Sequence, residues 1–313
     1  MEYKCKSPIL LRLFNRLDKT QKCIEAIRKV SPDRIFIVCD GPREEKSDDL
    51  DKVNAVRQVA RTSFPNSKVS ELFWDTNQGS VRAGFNGITW FFQNVDQGII
   101  LEDDHIPSID FFKFCDLMLD RYKQSESIFA VSGNYRLPYN SNEFDSSYYF
   151  SRYFQGSGWA SWAVAWDKAT LEIPFWGGYK KSREWSAMLD LIQRSYWEKI
   201  FDLVYSGKKV HWDFAWVATI LYYDGYVVTP TVNLVENIGF DDEATNTKCP
   251  NDPLSKFKVD SLGEIRHPDY ITEEKMYDEI LFHHVYGDPR FKLIKKKLGL
   301  YFLKSIIKKL FSS

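Results

Sequence analysis

The chain has 313 residues, 44% of them apolar, enough to bury a full core in one large α/β domain or two smaller units. Its 42 basic and 43 acidic side chains leave a formal net charge of -1, which gives no support to a general nucleic-acid binder. The five cysteines, without any C-x-x-C spacing, indicate neither a disulfide framework nor a thiolate zinc site, and a reducing compartment suits them best.

Met1 to Arg12 lacks the apolar core of a secretory signal, and no stretch approaches the roughly 18 apolar residues of a spanning helix, so a cytoplasmic location is expected. From the N-terminus, two periodicities alternate. Pro8 to Phe14 is a short apolar run, and Lys19 to Val30 places Cys23, Ile24, Ile27 and Val30 at helical spacing. Arg34 to Cys39 predicts a buried strand that ends at the turn Asp40-Gly41-Pro42. Asp49 to Arg61 predicts a helix, Lys68 to Phe73 a strand, Arg82 to Asn94 a helix and Gly98 to Leu101 a short apolar strand. This βαβαβαβ order predicts a mostly parallel sheet with helices on both faces, whose ligands sit beyond the carboxyl ends of the strands.

Three of those strand ends are followed by specific polar groups: Asn15-Arg16, Asp40-Gly41-Pro42-Arg43, and Glu102-Asp103-Asp104-His105. Two arginines and a carboxylate cluster on one rim suit a diphosphate bridged by a divalent cation, since carboxylates alone would repel phosphate. Adjacent acids at a strand end point in different directions, so one can bind Mg²⁺ or Mn²⁺ while a neighbour meets ribose hydroxyls or backbone donors.

The runs PILLRLFNR, IFIVCDGPR, GIILEDDHIPSIDFFKFC, GSGWASW, HWDFAW and NLVENIGFDDEAT together resemble the successive blocks of GT-A fold nucleotide-sugar glycosyltransferases. The nearest of these are bacterial sugar transferases distantly similar to N-acetylglucosaminyltransferase I. The blocks cover Pro8 to about Thr247, roughly three quarters of the chain. The resemblance implies an inverting, metal-dependent transfer from a nucleotide-sugar, with a UDP-sugar as donor and a glycan or lipid-linked hydroxyl as acceptor. Asp40 would accept from the uracil ring, Arg16 would lie near base and phosphate, and Asp104 would bind Mn²⁺ or Mg²⁺. Glu102 and Asp103 would face the donor's ribose and sugar, and Asp213, in a Trp-Asp block before a helix, would be the catalytic base. Each has a plainer role open to it: Asp40 can cap its Gly-Pro turn, Arg16 can pair with a surface acid, and Asp213 can cap the helix running to Tyr223. An acid at a helix start is expected to stay ionised.

Eight of the ten tryptophans lie between Trp159 and Trp216, where core packing competes with stacking on a sugar or base. Gly156 and Gly158 suit close backbone approach or unusual dihedrals. The family block at Val235 to Thr247 often ends in a His; Asn246 stands there, with Asp241, Asp242 or His267 as compensating ligands. His283 and His284 read as structural. The expected organisation is a nucleotide-sugar-binding half at 1–104, an acceptor-binding and catalytic half at 105–289, and a basic amphipathic tail at 290–313. That tail carries seven Lys and Arg290 without an acid, with Leu303, Ile306, Ile307 and Leu310 on one helical face, a pattern that suits docking on an anionic membrane surface. Two other function classes share these features: a metal-dependent nucleotidyltransferase, and a non-catalytic sugar-binding protein. The first would favour a Gly-rich phosphate loop with Lys after the first strand, where Asn15-Arg16-Leu17-Asp18 stands instead.

Overall fold

A computed structural model describes residues 3–137, 144–208, 211–240 and 257–286. The tail, Asn246, Asp241 and Asp242 lie outside the described residues. The first half runs β1 (Ile9–Leu13), α1 (Leu17–Arg28), β2 (Arg34–Cys39), α2 (Asp49–Thr62), β3 (Lys68–Phe73), α3 (Gly79–Phe92) and β4 (Gln97–Glu102). The second half continues with β5 (His105–Pro107), α4 (Ile109–Arg121), β6 (Ile128–Ser132), β7 (Tyr148–Ser151) and β8 (Trp159–Trp162). After these come α5 (Ala163–Trp166), α6 (Trp176–Tyr179), α7 (Arg183–Met188), α8 (Leu191–Tyr205) and α9 (Trp212–Tyr222). β9 (Tyr226–Pro230), β10 (Val235–Asn237) and α10 (Lys275–Val285) complete it.

Eight strands form one sheet in the order β3-β2-β1-β4-β8-β6-β9-β7, and β10 pairs with β5 in a two-stranded clasp. The pairings β1 with β2, β1 with β4, β2 with β3 and β6 with β9 are parallel; the other three are antiparallel. The expected mostly parallel α/β sheet is present, and β8 carries it without a break across the boundary at Asp104. β2 is buried along nearly its whole length because helices cover both faces, which is why its sequence reads as an unbroken apolar run. β3, at the edge, is only partly buried and carries Lys68, Ser70 and Glu71 among its apolar residues.

The chain leaves β1 toward β2 and β3 on one side, and β4 returns to the other side of β1. This is a topological switch point, where an open α/β sheet leaves a crevice beyond its strand ends. Arg16 follows β1 and Glu102 to Asp104 follow β4, so the chain order alone delivers these groups to one crevice.

The tryptophan cluster is core: Trp159, Trp162, Trp166, Trp176, Trp185, Trp197 and Trp216 are all buried, and of the eight only Trp212 is partly exposed. His283 is buried on α10, as a structural residue would be. Packed against β7 by the same helix, Asp278 accepts from Ser151 Oγ and, at 2.7 Å, from the Arg152 backbone N–H. Burial pushes its carboxyl up to about 7. The folded chain therefore holds a proton that the unfolded chain, near 3.8, releases, so this contribution to stability is present at low pH and disappears as pH rises through about 7. Thermal melts from acid to neutral pH should show that slope in the parent and a flatter profile in Asp278→Asn; identical profiles would contradict it.

Candidate functional site

Three acids leave β4, and each meets a different partner. Glu102, the most exposed of them, accepts from Arg12 Nη1 at 2.8 Å. Arg12 projects from β1 and lies beneath the Trp212 ring, 5.2 Å from its centroid, so one guanidinium joins the end of β4 to the start of α9. Asp103 is buried and takes a two-pronged contact from Arg16, with Nε at 3.0 Å and Nη2 on the other oxygen. The same Nη2 also reaches Asp104 Oδ2 at 3.0 Å.

Asp103 was expected to face the donor, yet as placed it faces Arg16. Burial pushes its carboxyl up and the guanidinium pulls against that. Breaking a buried ion pair from one side costs about 3–5 kcal/mol, because the remaining charge is stranded. Arg16→Ala should therefore lower the unfolding free energy obtained from urea melts by an amount of that order, and a value within error of the parent would show that the pair adds nothing to the fold.

Asp104 sits in the tightest setting. The Ile238 backbone N–H donates to its carbonyl at 2.9 Å, and the chain at Gly239 passes so close that a β-carbon there would collide with Asp104 Oδ2. A side chain at Gly239 would have to push this carboxylate aside. Asn237 holds the turn by accepting from the Gly239 N–H at 2.8 Å, and its amide donates to Ser157 Oγ at 3.2 Å. Arg136 Nη2 reaches the same hydroxyl at 3.0 Å, which brings a further cation to this side of the site. Gly158 has φ +74 and lies against Val235, so its backbone conformation also favours glycine. Gly156 has no such φ. His105 is buried; its Nδ1 accepts from the Glu102 backbone N–H at 3.0 Å, leaving Nε2 3.5 Å from Asp104 Oδ1. Burial pushes this imidazole down, so it stays neutral there.

Asp213 is the second residue of α9. His211 occupies the capping position, so the expected cap role does not hold; instead Asp213 Oδ1 accepts from the Phe214 N–H at 2.9 Å. Burial pushes its carboxyl upward, where a helix start alone was expected to keep it ionised, and the Glu102 charge adds to the rise. Nearby Tyr196 and Tyr286 feel the Asp213 charge, and Tyr286 also feels Arg136. Glu102, Arg12, Trp212, Asp213 and Arg136 thus surround one region beyond β1 and β4.

Asp40 and Arg43 are placed differently. Asp40 Oδ1 accepts from the Gly41 and Gln78 N–H groups, both at 2.8 Å, and Oδ2 from the Gly79 N–H and the Asn77 amide, both at 3.1 Å. Four donors fill a carboxylate's usual capacity, so Asp40 pins the start of α3 to the end of β2. Arg43 pairs with Asp49 at the start of α2, at 2.5 and 2.8 Å, and lies over Phe14. It stands on the same rim but apart from the acid cluster. His267 Nδ1 is 2.8 Å from the Tyr148 hydroxyl, a structural contact on the far strand β7.

Among the described residues, no three His, Cys, Asp or Glu side chains are grouped to hold a metal ion. The donor set does fit an ion that arrives with its diphosphate, since Mg²⁺ commonly takes one or two carboxylates and completes its shell with phosphate and water oxygens. Arg12, Arg136, Asn237 and Gly239 were not singled out in the sequence. Arg12 had one visible signal, a charge inside an otherwise apolar strand.

No protein-family model matches the chain, and no curated protein matches it. Solved structures similar to it include an active-site mutant of LgtC, 12% identical, with 91% of this chain and 99% of that chain covered and a TM-score of 0.36. The mannosyltransferase PcManGT from Pyrobaculum calidifontis, solved with GDP-Man and Mn²⁺, is 14% identical over 51% of this chain and 45% of that one, with a TM-score of 0.34. This chain thus spans less than half of that relative's length. A mannose-1-phosphate geranyltransferase from Thermus thermophilus is 13% identical over 74% of each chain, with a TM-score of 0.37.

Proposed function

We propose that the protein is a metal-dependent, inverting glycosyltransferase that moves a sugar from a nucleotide-sugar, a UDP-sugar, to a hydroxyl of a glycan or lipid-linked acceptor. The observation that supports this best is the convergence of Asp104 at the end of β4 and Asp213 at the start of α9, linked through Glu102, Arg12 and Trp212.

In this reading Asp213 removes the proton from the acceptor hydroxyl as its oxygen attacks the anomeric carbon, and the bond to the diphosphate breaks in the same displacement. One displacement inverts the anomeric centre. Arg16 and Arg136 place positive charge beside the departing diphosphate. Asp104 would hold Mn²⁺ or Mg²⁺, which when bound supplies further neutralisation of that charge. Glu102, the most open acid, is the one placed to meet donor hydroxyls. Asp40 reads the base only if a ring N–H displaces the Asn77 amide, and its main work is to set the position of α3.

Incubation with a panel of UDP-sugars and Mn²⁺ should release UDP, and proton NMR of the glycoside should show the anomeric configuration opposite to the donor's. Release of inorganic diphosphate from UTP supplied with a sugar 1-phosphate would instead indicate a nucleotidyltransferase, and binding without any release in either assay would indicate a sugar-binding protein. The basic sequence 290–313 supports reversible docking to an anionic membrane. The full chain should pellet with anionic liposomes at low salt and come off as salt rises, while a chain ending at Pro289 stays in the supernatant. Equal behaviour of the two would sink the docking.

A further inference from the structure

A second cavity, of about 680 Å³, lies at the far end of α9, where Tyr222 is separated from Asp213 by roughly 14 Å of helix. Its size falls in the range of small-molecule sites. Tyr179, Tyr222 and Tyr223 form its aromatic side, and Glu184, Asp224 and Glu273 supply carboxylates.

The aromatic side is rigid, and Tyr222 in it stays partly exposed. Tyr222 stacks on Phe175 with ring centroids 4.1 Å apart, and Tyr179 and Tyr223 brace it edge-on, each at 5.0 Å. The Tyr179 hydroxyl is itself fixed by donating to the Leu221 carbonyl at 2.9 Å. Even so, Tyr222 is 38% exposed in a chain that buries most of its large aromatic side chains, while Tyr223 stacks on Phe129 and has the Lys168 ammonium over its ring. A fixed, partly exposed ring suits a flat apolar ligand face.

The polar side decides the ligand's charge. Asp224, held in the left-handed region at φ 54, meets Arg152 Nη1 at 2.6 Å, and Glu273 meets Arg152 Nε at 3.2 Å. With Lys275 also on the wall, acids and bases nearly balance. A cation cage would leave its acids unneutralised, and a phosphate site would not carry three carboxylates. Acceptor oxygens beside donor groups, next to an aromatic face, match the hydroxyls and the apolar ring face of a neutral sugar.

We propose that this cavity is a second carbohydrate-binding site, which holds a distant part of a glycan chain while another part is at Asp213. The assignment of a glycan rests on the glycosyltransferase reading, but the binding it describes needs no turnover. A tethered chain gains effective concentration at the catalytic end, so longer acceptors should be used in preference to short ones.

The test is calorimetric titration of the full chain with neutral hexasaccharides of N-acetylglucosamine, glucose, mannose and galactose. At least one should bind, about tenfold more weakly to Tyr222→Ala and unchanged to Asp104→Ala. Glu184→Gln, at an exposed position in the first turn of α7 where Gln keeps a side-chain oxygen for Ser182, should also weaken binding severalfold while the melting temperature moves little. Absence of binding by all four, binding that survives both substitutions, binding lost in Asp104→Ala, or preferential binding of tetramethylammonium would each overturn the site. UDP release measured separately keeps this outcome apart from that of the catalytic proposal: a protein that binds the glycan but releases no UDP refutes only the latter.

Discussion

Replacing Asp104 with alanine should lower sugar transfer by about 10³-fold or more and remove metal-dependent donor binding, while the chain stays folded. The size follows from the several kcal/mol of charge stabilisation that a metal gives a departing diphosphate, at a factor of ten per 1.36 kcal/mol. Survival of the fold follows from the surroundings. Arg16 keeps its two-pronged partner Asp103 when Asp104 is lost, so no charge is stranded, and the backbone clasp through Ile238 does not use the side chain. Asp104→Asn keeps the shape beside Gly239 but not the charge, and should be nearly as inactive. Parent-level turnover by the alanine variant in the presence of a chelator would remove Asp104 from the metal role.

Asp213→Asn should lower kcat by a factor of about 10² to 10⁴, the usual worth of a positioned base, with donor affinity nearly unchanged. Asn retains a side-chain oxygen for the Phe214 N–H, and His211, not Asp213, occupies the cap, so the melting temperature should move little. The pH profile separates this from a structural role. Burial pushes the Asp213 carboxyl above the usual carboxylate range, so it is protonated, and idle as a base, at a higher pH than an exposed acid would be. The parent's kcat should fall on the acid side through that raised value, and the Asn variant should lack this limb. A variant with normal kcat, or one that retains the limb, would contradict the assignment.

The parallel half of the fold was legible because its signals are local. β2 and β3 have the bounds expected from their apolar runs, and the order βαβαβαβ places Arg16 and the acids of β4 at the same switch point. The second half sets three- to five-residue strands and one-turn helices among its longer helices, and the aromatic-rich sequence around them serves core packing and so hides any period. Side-chain partners were the least legible part. Whether Asp103 faces a ribose or Arg16 depends on which neighbour of the acid cluster turns inward, and Arg43 was drawn off by an aspartate six residues on that looked like an ordinary helix start. Arg12 acquires its place only when Trp212 folds over it from 200 positions away, a contact no local pattern encodes.

A thermal-shift series with UDP-sugars, each with Mn²⁺ and with chelator, tests the central claim most directly, because a ligand of the folded state raises the melting temperature by linkage. The account predicts that at least one UDP-sugar raises it in Mn²⁺, that the rise vanishes with chelator, and that Asp104→Ala shows none. A chain whose melting temperature responds to no nucleotide-sugar in either condition, or responds equally with and without the metal, would contradict it.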